Sequence, residues 1–231
     1  MATTSSEKNN SPKSYYAFFD LDHTITGSVS GKELAVAAFK KGLMKRSDLA
    51  TAIFLSFAHK TNLINPSMAI ALMGKWVKGI RVGTMEDLCS DIFSNKIQPT
   101  VFPQVFDELK FHRENNAGLV ILSSTLHPLC LKMEEFLKMD DVLCTELESV
   151  EGILTGNPRD TFCYGDEKLK RLRAYCEKNN SKTEDAWYYG DALADLPALS
   201  VSGHPVCINP ERRLKRIARK RGWQIYYWNR K

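Results

Sequence analysis

Several classes are excluded by what the chain lacks. No run of about 20 apolar residues is present, so no helix is expected to cross a membrane. Its six cysteines (Cys89, Cys130, Cys144, Cys163, Cys176 and Cys207) are scattered, without a Cys-x-x-Cys pair. That pattern suits core packing in a reducing compartment better than disulfides or zinc. Residues 1–14 are small and polar, with no apolar stretch of secretory type, and Glu7 is out of keeping with a transit peptide. They are expected to be a disordered lead-in, and the protein is expected to be cytoplasmic. No nucleic-acid-binding motif accompanies the basic residues, so no nucleic-acid partner is expected. What remains, 43% hydrophobic and 26% charged over 231 residues, is enough to bury a sizeable core without staples.

The modest net charge of +5 conceals a segregation. Residues 211–231 hold nine Lys or Arg and one acid, so the other 210 residues are mildly acidic. Residues 211–221 are expected to form a basic helix with a thin apolar stripe of Leu214, Ile217 and Ala218. The plain reading is a helix docked on the core with a solvated face. The sharper one is peripheral contact with an anionic membrane.

The stretch around which the rest is organised is residues 15–26. Tyr15 to Phe19 is a short aromatic, apolar run that ends in Asp20, as a buried strand would. Asp20 and Asp22 are two apart, so extended backbone points both carboxylates the same way. Such a pair is repulsive, and a bound cation relieves the repulsion. The crevice beyond the carboxyl ends of strands is where open α/β sheets bind ligands.

Further strands are expected at Leu119–Leu122, followed by Ser123, Ser124 and Thr125; at Asp141–Glu148; at Trp187–Tyr189, followed by Gly190 and Asp191; and at Pro205–Ile208. A hairpin is expected from Val150 to Gly156. Helical spacing places helices at Pro103–Glu114 and from Tyr164 through Leu172, with Lys168 near the start of the latter. Residues 28–98 read as four helices: one ending near Gly42, one carrying Leu49, Ile53, Phe54 and Phe57, one from Pro66 to Gly79, and one over Thr84–Lys96. So many helical residues after one strand exceed an ordinary crossover. They are expected to form a separate helical domain over the crevice, between core segments 15–27 and 99–231.

Four short motifs then occur in order. Phe-Asp-Leu-Asp-His-Thr at 19–24, Ser123 at a strand end, Gly165-x-x-Lys168, and Gly190-Asp191-x-x-x-Asp195 resemble motifs I to IV of the haloacid dehalogenase-like superfamily. The likeness covers about 17–210 and is closest to the phosphoserine-phosphatase-like branch (subfamily IB). It implies an α/β, Rossmann-like parallel-sheet core in three α/β/α layers with an inserted all-helical cap of the C1 type. It also implies a phosphomonoester hydrolase working through an aspartyl-phosphate intermediate. Asp20 is then the nucleophile and Asp22 the acid and base. Mg²⁺ is held by Asp20, Asp191 and the backbone carbonyl of Asp22, and Asp195 holds a metal-bound water or orients the metal's ligands. Ser123 and Lys168 grip the phosphate, while Thr24, grouped with them at the phosphate site, fixes the loop.

Several alternatives stay open. Ser124 or Thr125 is a simple helix cap, Lys170 competes with Lys168, Asp195 suits a helix N-cap before Leu196-Pro197, and His23 is taken as a bystander. Relatives that hydrolyse phosphoserine carry Glu at the position of Val29 and Asn at that of Ala194, so a different small or lipid-like phosphate is expected. Lys32, Glu33 and Arg81 are candidate substrate readers. The rival activities are a phosphomutase or phosphotransferase of the same superfamily, and a catalytically silent module that binds anionic surfaces.

Overall fold

Tyr15–Phe19 form a strand, β1, whose Ala17, Phe18 and Phe19 are wholly buried. An apolar run without polar alternation is what a strand covered on both faces requires. In the computed structural model, which describes residues 12–51 and 75–229, β1 lies inside a six-stranded sheet. On one side it pairs with β2 (Ala117–Leu126), which pairs with β3 (Asp141–Thr145). On the other side follow β6 (Trp187–Gly190), β7 (His204–Ile208) and β8 (Gln224–Tyr226). The order is β3-β2-β1-β6-β7-β8, and every pairing is parallel. All carboxyl ends therefore share one edge, and the order reverses between β1 and β6, the point at which open α/β sheets bind ligands.

Alternation along the strands builds two cores. Phe19 and Tyr189 face α3 (Gln104–Glu114) and α4 (His127–Leu137), with Leu109 and Met133 in the same apolar cluster. Phe18 and Tyr188 face α5 (Asp166–Lys178), the short α6 (Leu196–Leu199) and α7 (Arg212–Arg221), alongside Leu172, Leu199 and Leu214.

The segment between β1 and α3 is helical where described. It contains α1 (Ser30–Lys40), a 3₁₀ turn at Lys75–Val77 and α2 (Val82–Ile92). Residues 46–51 are helical, with Leu49 packed against the core as its expected stripe requires, whereas Ile53, Phe54, Phe57 and most of the helix from Pro66 lie outside the described residues. The expected Thr84–Lys96 helix starts two residues early and widens into a π turn at Phe93–Ile97. Leu34, Ala38, Met85 and Leu88 belong to the apolar cluster of α3 and α4. The strand expected over Asp141–Glu148 breaks at Glu146. Leu147–Val150 (β4) turns back and pairs antiparallel with Ile153–Pro158 (β5). Backbone bonds from Gly79 N to Leu154 O, Leu154 N to Ile80 O, and Val82 N to Gly152 O, each 2.9 Å, stitch this hairpin to the residues before α2.

Beneath α3 lies a buried polar cluster. The Tyr189 hydroxyl donates to Glu108 Oε1 at 2.5 Å. It therefore accepts from His112 Nε2 (2.8 Å), which leaves Nδ1 to accept from the Tyr15 hydroxyl at 2.9 Å. Burial, with a smaller contribution from His204, lowers the His112 pKa to about 4.

Candidate active site

The backbone N–H of Asp20 donates to Tyr189 O at 2.9 Å, so β6 fixes the point where the chain leaves β1. Both Ile25 N and Thr26 N return to Leu21 O, at 2.9 and 3.0 Å, making a tight loop. His23 is exposed on that loop with φ of +59°. It thus serves as the left-handed residue of the turn, a position that rarely takes a side chain.

Asp22 meets the first turn of α1. Ser30 N lies 3.0 Å from each of its carboxylate oxygens, and Ser30 Oγ donates to Oδ2 at 2.8 Å. Ser30 Oγ also bonds Thr125 Oγ1 at 2.8 Å, and Ser123 Oγ reaches Thr125 Oγ1 at 3.3 Å. One line of hydroxyls thus joins Asp22 to the end of β2. Burial and the neighbouring Asp20 charge raise the Asp22 pKa to about 7, against the pull of Ser30.

Lys168, in the first turn of α5 and 2% exposed, donates to Asp20 Oδ1 at 2.8 Å and to Asp195 Oδ1 at 2.6 Å. Burial opposes its charge, but the Asp195 and Asp20 carboxylates more than offset that and hold its pKa well above the ordinary value. Lys170 is exposed and pairs with Glu167. Ser123 is buried, and its hydroxyl lies close enough to Asp20 to favour the anion.

Asp195 does not cap α6. Its Oδ2 accepts from the backbone N–H groups of Asp191 and Ala192, both at 3.1 Å, while Oδ1 takes Lys168 and the Tyr188 hydroxyl at 2.8 Å. Both oxygens are thereby filled. Gly190 is required by this return: a Cβ there would stand 2.6 Å from the Asp195 side chain. Tyr188 and Ser30 carry no motif signal for these contacts. Tyr188 sits in an apolar run, and Ser30 is an ordinary polar residue of the first helical turn, eight positions from Asp22. Thr24 is buried, and its hydroxyl finds no partner among the described residues, so the hydrogen bond expected to fix the loop is not formed. Lys32 and Arg81 are exposed, and Glu33 is half-buried.

The donor set fits a hard divalent cation. Asp20, Asp191 and Asp195 bring carboxylate oxygens within 4.8 Å of one another, and with both Asp195 oxygens occupied, Asp20 and Asp191 are the pair left to take the ion. The buried Asp191 carboxylate receives no hydrogen bond from the described residues, although burial, Asp195 and Asp20 push its pKa well up. A cation is what such crowded carboxylates lack.

Known proteins resemble this chain in sequence and in fold. A family model described as haloacid dehalogenase-like hydrolase matches residues 17–200. A probable phosphatase of Mycobacterium tuberculosis is 26% identical over 220 residues, covering 93% of this chain and 75% of the relative. A phosphoserine phosphatase of the same organism is 25% identical over 218 residues, covering 90% and 69%. Among solved structures, a Bordetella pertussis protein of unknown function superposes with a TM-score of 0.83 at 20% identity, over 93% of this chain and 98% of its own. A phospho-aspartyl intermediate analogue of phosphoserine phosphatase gives 0.70 at 16% identity, over 93% of each chain. The chain belongs to the haloacid dehalogenase-like hydrolase family.

Proposed function

We propose that this enzyme is a Mg²⁺-dependent phosphatase that hydrolyses phosphomonoesters through an aspartyl phosphate on Asp20. The observation that carries the reading is the buried Lys168 ammonium bound at once to Asp20 and Asp195, with Asp22 held separately at the first turn of α1. Asp20 and Asp191, with the backbone carbonyl of Asp22, hold the metal; bound there, Mg²⁺ neutralises the charge of the phosphoryl group and of the carboxylates. Asp195, filled by four hydrogen bonds, serves as the anchor of Lys168 and of the loop after β6 rather than as a direct ligand.

The chemistry divides between the two carboxylates of the β1 loop. Asp20 attacks phosphorus, and the bond to the leaving oxygen breaks. Asp22, with a pKa near 7, is protonated often enough to give that oxygen its proton, and it then takes a proton from the water that hydrolyses the acyl phosphate. Lys168, the Ser123 hydroxyl and loop N–H groups hold the phosphoryl oxygens. The segment 28–98 acts as the helical cap that shields the site.

The substrate is a small or lipid-like phosphorylated metabolite. Val29, 39% exposed and next to Ser30, offers no charge to read an ammonium group, which argues against phosphoserine itself. Six buried, unpaired cysteines suit a reducing cytoplasm. Phosphate release from p-nitrophenyl phosphate, titrated with Mg²⁺, tests the reading. Turnover by wild type that is lost on chelation and in Asp20→Asn supports it; equal turnover by Asp20→Asn overturns it.

A further inference from the structure

One helix concentrates exposed positive charge. Helix α7 carries seven Lys or Arg and no acid in ten residues. Leu214 and Ala218, one turn apart, are fully buried against the sheet and fix the helix's rotation. Arg212, Arg213, Arg216, Arg219 and Lys220 are left exposed, and among the described residues no ion pair neutralises them. The rest of the chain is mildly acidic, so the patch is not a sample of a generally basic surface. Beside it, at the edge of the sheet, β8 exposes Tyr226 (45%), and Tyr227 (59%) follows, with Lys215 over the Tyr227 ring at 5.1 Å.

From this we infer that the outer face of α7, with Tyr226 and Tyr227, docks on an anionic phospholipid bilayer. Like-charged side chains crowded on one face repel one another, and a surface of negative headgroups relieves that repulsion. The patch is the outside of a single helix beside a sheet edge, which suits apposition to a plane. Tyrosine rings, apolar in body and polar at the tip, suit the headgroup layer. The helix has no free apolar face to insert, since its stripe is buried, so attachment is electrostatic and salt-sensitive.

Docking would also orient the site. Glu211, directly before α7, donates its N–H to Asp191 O at 2.9 Å and accepts from Leu193 N at 3.0 Å. The patch thus begins at the loop after β6, and a docked molecule holds the carboxyl edge of its sheet near the lipid. This last point rests on the phosphatase reading above and deepens it, because it makes a phosphomonoester lipid the substrate class. The docking itself does not depend on that reading.

The test is sedimentation of the full chain with phosphatidylcholine vesicles, with and without phosphatidylglycerol. Turnover of soluble p-nitrophenyl phosphate is followed in the same samples. Binding is expected only with the anionic lipid, reversed by about 0.5 M salt. Arg216→Glu/Arg219→Glu/Lys220→Glu should weaken it by roughly 10-fold or more while leaving aryl-phosphate turnover unchanged. Arg216→Lys/Arg219→Lys should retain it. Equal binding to neutral vesicles, or none to either, overturns the proposal. So does displacement of the protein from anionic vesicles by a small molar excess of single-stranded RNA, which would assign the face to nucleic acid. Loss of aryl-phosphate turnover in wild type would instead sink the phosphatase reading and leave docking to be judged by sedimentation.

Discussion

Two buried polar clusters hang from the same two strands, and they solve opposite problems. Below α3, Tyr15, His112, Tyr189 and Glu108 join the elements through a chain in which each donor has an acceptor and the imidazole is neutral. At the carboxyl ends of β1 and β6, Asp20 and Asp195 share the Lys168 ammonium with Asp191 and Asp22 close by, and the pKa of Asp191 is driven far up. Tyr189 of the first cluster stacks at 4.3 Å on Phe19, the residue before Asp20 of the second. The first cluster is complete, and its worth is structural. The second is left with more negative charge than its surroundings neutralise, which is the mark of a group awaiting a ligand.

Substitutions in the acidic cluster should therefore harm activity most, and those in the neutral one should harm folding alone. Lys168→Met leaves Asp20 and Asp195 facing each other without their shared cation. It should lower kcat/KM by about 10³-fold and cost roughly 3–5 kcal/mol of stability, read by steady-state kinetics and urea melts. Asp191→Asn should raise the Mg²⁺ concentration needed for half-maximal turnover by about 10–100-fold, with a smaller loss at saturating metal. Ser30→Ala should act on the acid alone. Turnover of an alkyl phosphate should fall about 10-fold, whereas p-nitrophenyl phosphate, whose leaving group needs no proton, should change little. Equal losses on both substrates would show that Ser30 merely supports the loop.

His112→Gln sharpens the comparison from the other side, with turnover unaffected at neutral pH. The folded pKa of His112, about 4, lies below the ordinary 6.5, so the unfolded chain takes up the proton first as pH falls. Its contribution is fully present above about pH 6.5 and is lost toward pH 4, by up to about 3 kcal/mol. Wild type should therefore lose urea resistance between pH 7 and 5 more steeply than His112→Gln, and parallel slopes would refute the neutral-cluster assignment.

Much of the acidic site was legible because its residues announce themselves locally. Asp20, Ser123 and Asp191 stand where apolar strand residues give way to polar ones, and Lys168 and Asp195 fall at fixed spacings from glycines. The parallel sheet was legible for the same reason, as strands buried on both faces are nearly continuous apolar runs. The supporting contacts were hidden. Ser30 touches Asp22 only because the chain turns back eight residues later, and Thr125 joins from 95 residues beyond Ser30. Tyr188 looks like any strand aromatic until the pleat turns its hydroxyl to Asp195. Strand β8 was missed because three residues, Gln224–Tyr226, at a sheet edge leave no periodicity to detect. The break at Glu146 was missed because β-prone residues continue on both sides of it.

The most direct measurement is an acid-quenched single turnover with a phosphate-labelled aryl ester and Mg²⁺. Label should appear transiently on the wild-type protein, at Asp20, before it appears as free phosphate, and Asp20→Asn should show neither. Free phosphate released from Asp20→Asn at the wild-type rate, with no labelled protein in either sample, would contradict the assignment of Asp20 as the group that captures the phosphoryl.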